Sequence, residues 1–330
     1  MLQVAVAGLG WWGRQVVRSL SGSPRLRVVR AVEPDAASHA GFAQEHGLPL
    51  SASLTEALRD REVQAVVLCT PQALHTAQVL EAAAAGRHVF CEKPLAMTRA
   101  DAQASVEACR RAGVVLGVGH ERRFEPAMRR LRALLQEGRL GTPLHIEANF
   151  SHAKLTHLKP GDWRVDPHYP AAHTGMGVHL TDAFLDLFGP IEEVHARAER
   201  LVSDRPRGDL VSIQLRFASG ASGFASAILE TPLYIACRVF GSEGWAEIRN
   251  ASHPDTPGPA TLTVELRDGT REMHEYAWEN AVVLNLEAFA AAVLGGAAYP
   301  FTDAQKIANV AVLEAVAESA ATGRTVRLGP

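Results

Sequence analysis

What this chain lacks narrows it first. Cysteine is scarce, and Cys69, Cys91, Cys109 and Cys237 lie far apart. With neither a C-x-x-C pair nor dense spacing, they make no disulfide framework, and a reducing cytoplasm is the simplest home. Long apolar runs are missing too: none approaches the roughly 20 residues that span a bilayer. Residues 1–4 run straight into a strand-like segment, without the basic, apolar and small-residue regions of a secretory signal. Excess charge of one sign is absent. A formal net charge of -3 with 21% charged residues leaves no electrostatic footprint for nucleic acid or an acidic membrane surface. No repeat with a period of about 20 to 50 residues appears, and the one biased tract is the Pro- and Gly-bearing loop 252–259.

What is present suits two domains, since 330 residues exceed the soft prior of about 150 per domain. Residues 2–7 are apolar and strand-like. Gly8-Leu9-Gly10-Trp11-Trp12-Gly13 follows at once and leads into a helix-like stretch from Arg14. Strand, glycine turn and helix in that order form a dinucleotide fingerprint. The first glycine permits the tight turn, the second lets backbone approach a pyrophosphate, and the third lets helix pack on strand. Oriented N–H groups at the helix start can hold phosphate without a basic side chain. A second apolar run, 26–32, ends in Glu33, placed where a ribose hydroxyl acceptor belongs. That carboxylate repels a 2′-phosphate, and no Lys or Arg follows at once, so NAD is expected over NADP.

Further strand and helix alternations follow: 65–71 into a helix 75–85, 89–90 past Pro94 into a helix 99–112, and an apolar run 114–118. Alternation of this kind predicts a parallel, doubly wound sheet over 1–120. Ligands in such sheets gather at the C-terminal strand ends, where Gly8, Glu33, Thr70, Glu92-Lys93 and His120 fall. A Lys fixed by a following Pro at such an end is poorly explained as a solubility charge. The bland alternatives are a strand stop for Thr70-Pro71, a helix-start residue for His75 and a loop residue for His120.

Residues 121–136 read as a basic amphipathic helix whose arginines form a solvated or phosphate-near face. After Pro143 the pattern changes to strand-like runs at 144–150, 191–201, 209–217, 221–229, 234–240, 245–250 and 261–266. Together they predict an open, mostly antiparallel sheet in an α+β domain over 121–330. Helices at 180–188, 284–293 and 302–321 would cover one face, with the C-terminal helix able to pack back on the first domain. Pairing of subunits, as a homodimer or homotetramer, would cover the other.

Chemistry-bearing side chains concentrate between 151 and 182: His152, His157, His168, His173 and His179, with Asp162, Trp163, Arg164, Asp166 and Asp182. His179 and Asp182 stand three apart and share a helix face. The density of histidine invites zinc, but no H-x-x-x-H lies on a clear helix and cysteine is absent there, so no metal is expected.

These motifs together resemble the glucose–fructose oxidoreductase, inositol dehydrogenase and rhizopine-catabolism (Gfo/Idh/MocA) family. The resemblance rests on Gly8-x-Gly10-x-x-Gly13, Cys69-Thr70-Pro71 with His75, Glu92-Lys93-Pro94, Arg123-Phe124-x-Pro126, Trp163-Arg164 and Gly177-x-His179-x-x-Asp182. It implies a Rossmann domain, an open-sheet substrate domain, dimers or tetramers, and hydride transfer between a nicotinamide and a secondary alcohol of a sugar, cyclitol or dihydrodiol. It implies that Lys93 holds the substrate hydroxyl and stabilises developing alkoxide, that His179 accepts the proton, and that the Lys93-Pro94 bond is cis. The cofactor side would comprise Gly8, Gly10, Trp11, Trp12, Gly13, Glu33, Thr70, Pro71, His75, Glu92, Lys93 and Arg164. The substrate side would comprise His120, Arg123, Trp163 and Asp182. Two positions depart from the pattern: Gly175 stands where sugar and inositol dehydrogenases of the family carry an acid, and Glu121 where many carry Asn or Gln. The alternatives left open are a non-catalytic NAD-bound sensor and an NAD-dependent glycoside hydrolase.

Overall fold

The computed structural model describes residues 1–154, 172–202 and 209–329. In chain order it opens with β1 (Leu2–Ala7), α1 (Trp11–Leu20), β2 (Leu26–Val32), α2 (Ala36–Glu45), β3 (Leu50–Ser51), α3 (Leu54–Leu58) and β4 (Ala65–Leu68). Next come α4 (His75–Ala84), β5 (His88–Cys91), α5 (Arg99–Ala112), β6 (Leu116–Val118), α6 (Pro126–Gln136), β7 (Pro143–Ser151) and α7 (Val178–Phe188). Then follow β8 (Ile191–Glu199), β9 (Leu210–Phe217), β10 (Ser222–Ile228), β11 (Tyr234–Gly241), β12 (Gly244–Asn250), β13 (Ala260–Leu266) and β14 (Arg271–Tyr276). The chain closes with α8 (Ala281–Val293), α9 (Asp303–Thr322) and β15 (Val326–Arg327). These elements group into two compact units, Met1–Glu121 with Val282–Val310, and Arg122–Ala281 with Ala311–Pro330.

The first unit is a six-stranded sheet in the order β3-β2-β1-β4-β5-β6, parallel throughout. Its order reverses between β1 and β4, the switch point at which doubly wound sheets hold ligands. Register decides what meets there. Ala7 pairs with Val32 and Leu68, Leu68 with Cys91, and Cys91 with Val118. The strands therefore end in one row, and Gly8, Glu33, Cys69, Glu92 and Gly119 make the next. Helix α1 buries Gly13, Val16, Val17 and Leu20, an i, i+3, i+4, i+7 spacing that lays one stripe against the sheet.

Helix α8 belongs to this unit, although the sequence places it over the open sheet. Its Leu286, Phe289 and Ala290 are fully buried in the core with Val4, Val6 and Phe90, and Phe289 meets Phe90 edge-on at 5.6 Å. A side chain at Gly117 would lie 2.7 Å from Phe90 and 2.8 Å from Phe289, so β6 admits only glycine there. Asn285 Nδ2 donates to Val118 O at 2.8 Å, and Tyr299 accepts from Val118 N at 3.1 Å. These contacts fix the end of β6.

The second unit carries a nine-stranded sheet in the order β14-β13-β12-β11-β7-β10-β9-β8-β15. It is antiparallel except for the parallel pair β7 and β10. Across it, Ile213, Ala225, Ala148, Cys237, Ile248 and Leu262 pair in one row and all are buried. The adjacent row, which includes Phe224, Glu147, Arg238 and Glu247, turns outward, with Arg238 ion-paired to both Glu147 and Glu247. Period-two alternation thus gives one apolar face and one mixed face.

Residues 121–136 differ from the expected single basic helix. A 3₁₀ turn, Glu121–Phe124, precedes α6, and Pro126 sits in the first turn of α6, because proline cannot continue a helix already begun. Arg122 and Arg123 are buried, 3% and 4% exposed, and are spent on ion pairs within the protein.

Phe289→Ala should lower the unfolding free energy by about 3–5 kcal/mol, whereas Leu294→Ala, at a half-exposed position, should change it little. Urea unfolding followed by circular dichroism would show equal losses if α8 did not anchor this core.

Candidate active site

The glycine loop has the shape its residues predict. Gly8 has a positive φ of 88°, and a Cβ on it would meet Cys69 O at 2.7 Å. A Cβ on Gly13 would collide with the Gly8 carbonyl, whereas one on Gly10 would meet nothing within 4 Å. Two glycines therefore let the backbone close on itself, and the third leaves room for something else to approach. Gly10 caps α1 without any side-chain hydrogen bond, so the N–H groups of the first turn remain for an anion. This cradle fits a dinucleotide pyrophosphate. Trp11 is 58% exposed beside it, and Trp12 lies 5.5 Å from Trp11. Glu33 Oε2 accepts from Leu9 N at 2.9 Å, so the strand-end acid also braces the glycine loop.

The other strand ends are tied together. Thr70 Oγ1 donates to Gln78 Oε1 at 2.5 Å. His75 is buried, with Nδ1 2.8 Å from Pro94 O and Nε2 3.0 Å from Thr70 O. Its ring pins the β4 loop to the Glu92-Lys93-Pro94 turn, with both nitrogens occupied by backbone. The Lys93-Pro94 peptide is cis. Glu92 is buried, and burial pushes its carboxyl pKa up, against the pull of the nearby Trp12 indole N–H and the Lys93 charge. The indole approaches without full hydrogen-bond geometry. Gly119 lies directly against the Glu92 carboxylate, a constraint invisible in sequence. His120 is 4% exposed, and its Nε2 accepts from Asn309 Nδ2 at 3.1 Å.

In the second unit, a π-helical turn, Ala172–Gly177, leads into α7. His179, near the start of α7, is 5% exposed and packs on Phe150 at 5.5 Å. Asp182, 2% exposed, accepts from Arg123 through both oxygens, at 2.8 and 2.6 Å. Arg123 also reaches Asp186 at 3.2 Å, and Arg132 pairs with Asp186. Arg123 and Asp182 thus brace α7 against the segment before α6, each occupied by the other. Trp163 and Arg164 lie outside the described residues, as do His157, Asp162, Asp166 and His168, and the His173 side chain is likewise not described.

Phe150 gathers more than His179. His152 lies 5.5 Å from it, His253 5.4 Å, and the Arg122 guanidinium 5.2 Å. His253 and Asp255 come from the Pro- and Gly-bearing loop 252–259, and only the packing of His253 on Phe150 and its bond to Asp255 mark them. Burial pushes the His152 pKa down to about 4, aided by His253 and Lys154 and opposed by Asp255. Burial likewise lowers His253 and His75.

Comparison with known proteins follows the same division. Residues 2–120 match an oxidoreductase family with an NAD-binding Rossmann fold, and residues 128–247 match the GFO/IDH/MocA C-terminal domain. The 1,5-anhydro-D-fructose reductase of Ensifer adhaerens is 31% identical over 329 residues, spanning 96% of this chain and 94% of that protein. The aldose-aldose oxidoreductase of Caulobacter crescentus, solved with glycerol, is 25% identical with a TM-score of 0.88, over 99% of each chain. GenD2 from gentamicin A biosynthesis, solved with NAD, is 26% identical with a TM-score of 0.85, over 100% of this chain and 97% of that one.

Two outcomes follow from the buried charges. Arg123→Leu should cost about 3–5 kcal/mol by stranding the Asp182 carboxylate, and adding Asp182→Asn should recover much of it in a urea-unfolding double-mutant cycle. His75 and His152 have folded pKa values below the unfolded 6.5, so the unfolded chain takes up protons first. Their contribution is complete above about pH 6.5 and falls as pH drops below it, for His152 down to about pH 4, by up to about 1.4 kcal/mol per pH unit for each group. Melting temperature between pH 8 and 4 should show that slope, and His152→Asn should make it shallower.

Proposed function

The chain belongs to the Gfo/Idh/MocA family of oxidoreductases, and from that premise we propose that it oxidises a secondary alcohol of a sugar, cyclitol or dihydrodiol, or reduces the matching ketone. The observation that carries this reading is the in-register row of strand ends, where the phosphate cradle, Glu33 and Glu92-Lys93 stand side by side. A nicotinamide, when bound, supplies or takes the hydride. The remaining work falls to side chains of this chain.

Gly8, Gly10 and Gly13 shape the loop, and the first-turn N–H groups of α1 hold the pyrophosphate. Glu33, fixed by the Leu9 N–H, offers its remaining lone pairs to a ribose diol and repels a 2′-phosphate, which favours NAD over NADP. Thr70, Pro71 and His75 hold the β4 loop to the Pro94 carbonyl. Lys93 binds the substrate oxygen and stabilises the charge that grows on it as the O–H proton leaves. His179 accepts that proton, the part an imidazole plays as a general base. Arg123 and Asp182 act through α7, holding the turn that carries His179. The outward row of the nine-stranded sheet, with Phe224 and Tyr234 exposed, serves self-association.

Lys93→Ala should retain NADH binding by fluorescence titration while turnover falls by about a thousandfold. Retained activity on a true substrate would remove Lys93 from the chemistry. With the wild-type chain, kcat/KM should be at least about tenfold higher for NAD than for NADP, a difference of about 1.4 kcal/mol.

A further inference from the structure

Around Phe150 the second unit holds two imidazoles that the proposed hydride-transfer chemistry does not use. His152 follows β7, and its backbone N–H donates to Ile228 O at 3.1 Å. His253 follows β12, in a loop closed by Ala251 N to Pro259 O at 3.0 Å and by Trp278 Nε1 to Pro254 O at 2.9 Å. Their rings stand edge to face with centroids 5.0 Å apart. Each packs on the same phenyl ring that His179 touches.

Hydrogen bonds assign the two rings opposite tautomers. His152 Nδ1 accepts from Lys154 N at 3.1 Å, which leaves the ring proton on Nε2. Asp255 Oδ1 lies 2.6 Å from His253 Nδ1, and a carboxylate can only accept there, so His253 carries a proton on Nδ1; burial holds its pKa below the ordinary imidazole value, which leaves a lone pair on Nε2 at pH 7. The Asp255 backbone N–H approaches that same Nδ1 at 3.4 Å, the weaker of the two contacts. Asp255 is itself held by Lys154 Nζ at 2.7 Å and Thr256 Oγ1 at 2.8 Å. Its charge is therefore balanced locally and its orientation is set. The result is one N–H donor and one nitrogen acceptor side by side, carried by rings without net charge.

We propose that His152 and His253 are specificity-determining residues that bind hydroxyl groups of a neutral, polyhydroxylated substrate remote from the carbon undergoing oxidation. His152 Nε2–H donates to one hydroxyl oxygen, and His253 Nε2 accepts a hydroxyl hydrogen. A hydroxyl, being both donor and acceptor, matches this pair, whereas a carboxylate needs donors from both. Phe150 supplies an apolar wall for the C–H face of the same molecule. Asp255 is a positioning residue that acts through His253. The inference rests on the oxidoreductase reading above and names the class of alcohol within it.

The test has two parts. In full-length protein labelled with ¹⁵N-histidine, ring-nitrogen shifts at pH 7 should show His152 as the Nε2–H tautomer and His253 as the Nδ1–H tautomer, assigned with His152→Phe and His253→Phe. Asp255→Asn should disturb the His253 pattern. A charged ring, or either ring in the other tautomer, overturns the proposal whatever the activity. In NADH-formation assays over aldoses, inositols and their deoxy analogues, both Phe variants should raise KM for accepted polyols about tenfold or more, with kcat changed less than about threefold. The increase should shrink for the deoxy analogue lacking the bound hydroxyl. Unchanged KM in both variants overturns the inference alone, as does a fall in kcat at constant KM, which would place the pair in proton transfer. A wild-type chain that turns over a dihydrodiol but no polyol overturns this inference alone, and one that turns over neither removes the oxidoreductase reading with it.

Discussion

The first unit depends on the closeness of Gly8, Gly13 and Cys69. Backbone meets backbone at distances that leave no room for a Cβ on Gly8 or Gly13, so α1 begins directly on the end of β1. Parallel register then carries that alignment across the sheet, from Ala7 to Val32 on one side and to Leu68, Cys91 and Val118 on the other. Glycines at two positions thus set the height of a row to which five loops contribute. At the far end of the row Gly119 lies against the carboxylate of the buried Glu92, and a Cβ there would require that side chain to move.

The second unit is organised by a different constraint, the cost of burying charge. Arg123, Asp182, Asp186 and Arg132 neutralise one another in sequence-distant pairs, and Arg122 is matched by Glu125 and Asn250 while stacking on Phe150. A buried ion pair adds little net stability over apolar replacements, but losing one partner is expensive. Such pairs therefore fix α7 and the segment before α6 more by penalty than by attraction. Phe150 is the apolar counterpart, a single ring shared by His152, His179 and His253.

Legibility in the sequence followed the range of the forces. The glycine fingerprint, the strand-end acid, the Glu92-Lys93-Pro94 turn and the alternating second sheet arise from local geometry and period, and each could be placed by reading forward. The sequence puts the 122–123 arginines on a solvated or phosphate-near face, because charge on a helix pattern signals solvent unless its partners are known, and the Asp182 and Asp186 that pair with Arg123 lie about 60 positions away. The sequence sets helix α8 over the open sheet for a similar reason: an apolar segment does not state which core it enters. In loop 252–259, proline and glycine identify a turn and say nothing about what the turn presents.

By itself, then, the sequence determined the kind of protein: a glycine loop whose strand, helix and strand-end acid fit a dinucleotide site, a parallel sheet ahead of a mostly antiparallel one, and a Lys and a His of the right types for alcohol chemistry. Those features depend on contacts among near neighbours, which residue order encodes directly. Tertiary structure alone decided that Glu33, placed as a ribose acceptor, also braces the glycine loop, that Asp182 is occupied by Arg123, and that His253, held by Asp255, stands beside the ring packed on His179. Such pairings join residues far apart in the chain, and only the folded backbone specifies which of many possible partners each buried polar group meets.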